Sequence, residues 1–377
     1  MTDFNHPAGG STSFGTSRQI GLDVTRAVAL IGVVVMNFHG TLDDWRIAND
    51  FWHRVFNIYT GALSTRFAAT FVVVAGIGTA LLSRKAFGAN RDVAKHDLAR
   101  LRLRLVRRGA LLLFGGYLLN HAWPGTILFY YGVYFMLSAI FIMWKSRSII
   151  FVALATALSA TAIATWEASR QKDGHSTNWL HPRSIDSISD LILRIFVDYT
   201  HPVFPWLAFF CIGIVMGRNL EIVKTKRRAI LLLCCALIVL CYSVSAILDH
   251  FDLRANEIVY RLTSLHPYNR SLLYTVSTTA IAVIAFVVIS QLAEKHQHRK
   301  IVVHLQRSGQ LTLSLYLLHV LVFYIFVDWA HLISSSGLDT ALIFATGFWV
   351  FAITIASWWQ HHFGQGPVER LYRAIGG

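Results

Sequence analysis

Apolar runs close to twenty residues long recur along this chain, and they leave few architectures open. At about 1.5 Å of rise per residue, one such run crosses the hydrocarbon of a bilayer as a helix. Ten are readable, at roughly 21–39, 63–83, 107–121, 126–144, 148–165, 203–218, 228–248, 271–292, 310–328 and 337–359. Lipid offers the backbone no hydrogen bonds, so each span must satisfy its own as a helix. The fold class that follows is all-α, a polytopic transmembrane helical bundle of about ten spans. Only 14% of the 377 residues are charged, too little polar surface for a soluble protein of this length. Residues 1–20 read as a disordered tail, and 21–377 as one membrane domain.

The formal net charge of +14 would point to nucleic acid in a soluble protein. Here the basic residues crowd short connections between apolar runs, so nucleic-acid binding is set aside. Arg84 to Arg108 form the most basic connection. Lys145 with Arg147, Lys224 to Arg228, and Lys295 to Arg307 mark the other even-numbered ones. That bias predicts a multi-pass plasma-membrane protein with both termini in the cytoplasm. His39, Asp43, His53, His121, His175, His181, His201, His266 and His331 then lie outside or at the outer interface, as do the long connections at about 40–62 and 166–202. Trp45, Trp52, Trp123, Trp166, Trp179 and Trp206 flank span ends and read as interfacial anchors. The four cysteines lie in apolar runs without ligand spacing, so neither a disulfide nor a metal site is predicted. Gly213 and Gly217 read as a helix-packing pair. No hydrolase, nucleotide-triphosphatase or dinucleotide motif is present.

The polar residues in and beside the spans carry the chemistry. His39 ends the first span, and Asp43 follows four residues later, a spacing that lets a carboxylate hold an imidazole in one tautomer. That is the arrangement of a general base. His53 is a second candidate for the same role. A solvated surface histidine is the ordinary alternative for each. His319 sits in the middle of a span, where an imidazole either bonds a neighbouring helix or lines a tunnel. Arg66 either snorkels to the interface or binds a phosphate or carboxylate. Arg100, Arg102, Arg104, Arg107 and Arg108 either anchor the inner leaflet or capture a polyanion such as the phosphates of coenzyme A.

Several segments together resemble the transmembrane acyltransferase superfamily, which includes the heparan-α-glucosaminide N-acetyltransferases and, more distantly, the acyltransferase-3 proteins. LDVTRA followed by VVVMNF resembles the opening helix, and RFAATFVVVAGIGTALLSR the second. RRGALLLFGGYLLN with TILFYYGVYFML resembles the third and fourth. HPVFPWLAFFCIGIVMGR, SGQLTLSLYLLHV and GPVERLYR are similar to later segments, in order. The resemblance implies transfer of an acyl group from acyl-coenzyme A, acetyl-coenzyme A foremost, to a sugar, glycolipid or other cell-envelope acceptor, without a metal. It sets His53 near the place of the relatives' catalytic histidine and Asn37 at a polar position of the opening helix. With His39 and Asp43 from the reading above, the candidate catalytic set is His53, His39, Asn37 and Asp43, the base being either histidine and Asn37 the group that would polarise the thioester oxygen. Donor binding would fall to Arg26, Arg66, Arg104, Arg107, Arg108 and His319. The partners are then the lipid bilayer, the acyl donor and the acceptor. The oligomeric state stays open, a dimer being one alternative. A transporter or lipid flippase, with Arg26 and His319 lining its path, is the rival reading, and an inactive scaffold the third.

Overall fold

The computed structural model describes residues 16–42, 51–87, 95–334 and 337–377, and among these the chain is helical with no strand. In order the helices are α1 (Thr16–Leu42), α2 (Phe51–Phe56), α3 (Arg66–Phe87), α4 (Lys95–Ala122), α5 (Ile127–Phe141), α6 (Ser146–Lys172), α7 (Ile188–Phe196) and α8 (Val203–Arg218). Then come α9 (Leu220–Thr225), α10 (Arg227–His250), α11 (Glu257–Thr263), α12 (Leu272–Lys295), α13 (Lys300–Gln310), α14 (Thr312–Phe323), α15 (Leu338–Phe363) and α16 (Pro367–Gly376). A π-helical turn, Tyr324–Trp329, extends α14.

Among the described residues, seven helices are long and apolar enough to cross a membrane: Ile20–Leu42, Arg66–Arg84, Ser146–Lys172, Arg227–His250, Leu272–Lys295, Thr312–Trp329 and Leu338–Phe363. The runs expected at 126–144 and 203–218 are the shorter apolar helices α5 and α8. Neighbours enclose most of both, so most of their apolar residues pack on protein. The run expected at 107–121 is the second half of α4, whose first half is basic. Since α1 begins at Thr16, the last residues of the expected tail are already helical.

Helix α1 lies at the centre, packed against α3, α12, α13 and α15. Near its C-terminal end Phe38 stacks on Phe344 of α15 at 4.6 Å and meets Phe323 of α14 at 5.8 Å. Helices α3 and α8 touch backbone to backbone. A Cβ at Gly76 would lie 2.1 Å from the Phe210 carbonyl oxygen, and one at Gly213 2.1 Å from that of Val73. Glycine is what permits that approach. The expected packing role of Gly213 and Gly217 is therefore met against α3.

The two ends of the bundle differ. At one, Glu369 of α16 accepts from the Leu313 and Ser314 amides at 2.7 and 3.0 Å, capping α14. Arg108 donates to the Gly377 carbonyl at 3.0 Å beside it. This is the basic end. At the other, side-chain caps fix the connections: Ser271 accepts from the Tyr274 amide at 3.0 Å, and Ser187 from the Asp190 amide at 3.1 Å. Two tryptophans read as interfacial anchors lie elsewhere. Trp206 and Trp123 are 1% and 8% exposed, within the aromatic core, because the chain folds back over them.

Candidate active site

A cavity of about 860 Å³ opens among the connections at the end opposite the basic one. Apolar side chains from α1, α3 and α6 form one part of its wall, Val33, Met36, Phe67, Ala160 and Ile163 among them. Polar groups from several segments also line it, among them Asn37 and Thr41, Tyr59 and Thr65, Glu167 and His181, Asp198 to His201, and Tyr268 to Arg270.

Asn37 lines the cavity and donates from Nδ2 to His319 Nε2 at 3.2 Å. His39 follows two residues later, 3% exposed, with Nδ1 2.7 Å from the Phe56 carbonyl oxygen. A carbonyl only accepts, so Nδ1 carries the proton. That bond ties α2 to the end of α1 and brings His53 close. The two ring centroids are 6.4 Å apart, edge to face. The two candidate bases therefore form one pair; neither lines the cavity, though Gly40, next to His39 in the chain, does. Asp43 lies outside the described residues.

Across the cavity stands a charged cluster that the sequence did not single out. His181 Nε2 is 2.6 Å from Glu167 Oε1, and its Nδ1 is 2.9 Å from Asp198 Oδ1. Thr177 also donates to Glu167 Oε1, at 3.1 Å. Bonds to Asp198 and then Glu167 push the His181 imidazole up to about 9, so it is charged at neutral pH. Burial alone would raise the Asp198 carboxyl; the His181 bond, the Tyr199 amide and Arg270 outweigh it and hold the group below its ordinary value. Arg270 donates to the carbonyls of Val197 and Tyr199 and stands 3.7 Å from Asp198. Nearby His201 is the opposite case. Burial, helped by Arg270, lowers it to about 3, so it is neutral, and its Nδ1 has no partner among the described residues. One signal was available: Glu167 is the lone carboxylate of the long apolar helix α6.

Residues 18–232 match the heparan-alpha-glucosaminide N-acetyltransferase catalytic family. The chain belongs to that family. Residues 219–376 match a family of proteins of unknown function, DUF418. No curated protein matches the chain. Membership makes the chain an acetyltransferase-like membrane enzyme by family. Asn37, His39, His53, Glu167, His181 and Asp198 all fall in the acetyltransferase segment, while Arg270 and His319 fall in the second.

The residues assigned to donor binding do not gather at the cavity. His319 is fully buried behind its wall, between Tyr316, Trp123 and Phe38, and does not line it. Arg66 is 6% exposed and neither snorkels nor lines the cavity: it donates to Thr278 and lies 5.2 Å over the Tyr274 ring. Arg104, Arg107 and Arg108 lie toward the basic end, Arg108 about 21 Å along α4 from Ala122. Arg26 is about 16 Å along α1 from Asn37, paired with Asp23 at 3.2 Å. Among the described residues no group of three His, Cys, Asp or Glu is placed to hold a metal.

Proposed function

We propose that this chain moves an acyl group, acetyl foremost, from acyl-coenzyme A to an acceptor held in the cavity. One observation carries the reading: within the acetyltransferase segment, the end of α1 sets Asn37 on the cavity wall and, two residues on, His39 paired with His53. With its proton on Nδ1, His39 has Nε2 as its basic nitrogen, the tautomer a general base needs. His39 or His53 takes the proton of the acceptor's hydroxyl or amine. The nucleophile attacks the thioester carbon, the C–S bond breaks, and the coenzyme A thiolate leaves and is protonated. The Asn37 amide, on the cavity wall, supplies hydrogen bonding as charge develops on the thioester oxygen.

Donor phosphates fit Arg104, Arg107 and Arg108 at the basic end, with Arg26 on the way to the cavity. Coenzyme A carries its thioester on a pantetheine arm, far from its phosphates, which suits that separation. This reading sets the basic end in the cytoplasm of a plasma-membrane protein and the acceptor, a sugar or glycolipid of the envelope, on the other side. A terminal glucosaminide, the acceptor in the family's name, is the first to test. Purified protein in lipid discs, given labelled acetyl-coenzyme A and glucosamine or envelope glycans, is expected to transfer label. Replacing both His39 and His53 by alanine is expected to cut transfer by roughly 10²- to 10⁴-fold. Undiminished transfer in the double variant removes the mechanism, and uptake into vesicles without transfer favours transport.

A further inference from the structure

We propose that His319 is a positioning residue, which holds the amide of Asn37 in one orientation on the cavity wall from a fully buried place on α14. Its consequence for turnover rests on the acyltransferase reading; the hydrogen-bond arrangement itself does not.

Both imidazole nitrogens are engaged. Nδ1 faces the Tyr316 carbonyl of its own helix, and Nε2 is 3.2 Å from Asn37 Nδ2. A carbonyl cannot donate, so Nδ1 carries the hydrogen and Nε2 offers a lone pair. Asn37 must then present its NH₂ to His319. The reversed amide would set two acceptors face to face. One N–H is bound to the ring, and the other N–H and Oδ1 are held in a fixed plane at the cavity wall. Asn37 makes no other side-chain hydrogen bond among the described residues.

Three observations separate this role from direct chemistry and from packing. His319 is 0% exposed and is not part of the lining, so it does not touch a substrate. Tyr316, Trp123 and Phe38 surround its ring at centroid distances of 4.8, 5.5 and 5.9 Å. Burying an imidazole in such a shell is less favourable than burying an apolar ring unless both nitrogens are bonded. A phenylalanine would fill the space as well. What phenylalanine lacks is the acceptor for Asn37.

The test has a spectroscopic arm and a kinetic arm. Ring nitrogens labelled with ¹⁵N in the full-length protein, with His319 assigned by difference against His319→Phe, should report a neutral ring protonated on Nδ1. The Nε2 resonance should move in Asn37→Ala while Nδ1 stays. A ring protonated on Nε2 or on both nitrogens, or an Nε2 signal indifferent to Asn37→Ala, overturns the proposal whether or not the protein is active. In the kinetic arm, with labelled acetyl-coenzyme A and glucosamine as probes, His319→Phe should lower kcat by roughly 10- to 100-fold with KM within about twofold. His319→Gln, which keeps an acceptor, should restore part of it. In the Asn37→Ala background His319→Phe should remove nothing further. Additive losses, or equal losses for Phe and Gln, overturn the positioning role. If wild-type protein transfers no label, the acyltransferase reading falls and the ring spectrum still decides the arrangement.

Discussion

Glu167 is the single carboxylate on an otherwise apolar helix, and its neighbours explain why it is tolerated there. His181 supplies the opposite charge, while Thr177 and Gln171 donate to the same oxygen. Through His181 the group reaches Asp198, so one imidazole clasps the end of α6 to the segment that enters α8. Its pH dependence follows from the direction of the shifts. The folded His181 is raised from 6.5 to about 9, so the stabilisation it brings is complete below about pH 6.5 and is lost as pH rises through about 9. Asp198 is depressed, so its share is present above its ordinary value of 3.8 and fades only as pH falls below that. Because the His181 side chain is 41% exposed, each contact is worth about 1 kcal/mol at most. The expected outcome is a local loosening. Amide exchange in residues 173–202 should rise faster than intrinsic chemistry predicts between about pH 8 and 10, and His181→Gln should abolish that excess. An excess that persists unchanged in His181→Gln would place the titrating group elsewhere.

Between helices, close approach of backbones in the bundle is set by glycine. A side chain at Gly213 would meet the Val73 carbonyl at 2.1 Å, and backbone cannot step aside as a flexible side chain can. Gly213→Val is expected to force α3 from α8 and destabilise the fold by roughly 2–4 kcal/mol, read as a lower thermal midpoint in detergent. Gly115→Ala, with nothing within 4 Å of the added carbon, should leave the midpoint in place. This contact was legible in the sequence because small residues four apart in an apolar run have few other uses. The long spans were legible for the same kind of reason: hydrocarbon thickness fixes their length. The functional end was less so. The span read as 148–165 continues as helix to Lys172, and that extension is what takes Glu167 inside α6. His39 and His53 were each visible, but their pairing depends on α2 folding back to offer the Phe56 carbonyl, which spacing does not reveal. Arg66 sits one turn from the cavity yet points at α12, because Thr278 and Tyr274 complete it there.

Across the whole molecule, the two family-matched segments meet at residues 219–232 but do not fold as neighbours side by side. Helix α1 of the first packs on α12, α13 and α15 of the second. Asp23 accepts from Gln310 at 2.9 Å, Asn37 reaches His319, and Phe38 stacks on Phe344. One continuous core of buried residues runs from Leu22 to Ala356. Separated from the second segment, α1 would present Asp23, Asn37 and a strip of aromatic rings to lipid, and polar groups left unbonded there are costly. We therefore propose that residues 21–377 form one folding unit. The connection after α9 offers a clean cut, since Thr225 and Lys226 are exposed at the basic end. Residues 1–225 and 226–377 expressed separately in membranes are expected to extract as aggregates and to be readily digested by protease. Expressed together, they should copurify as one monodisperse species, because the interface between them already holds the core and only a surface connection is missing. A monodisperse, protease-resistant 1–225 fragment on its own would show instead that the acetyltransferase segment closes its own core, with the second segment docked against it afterwards.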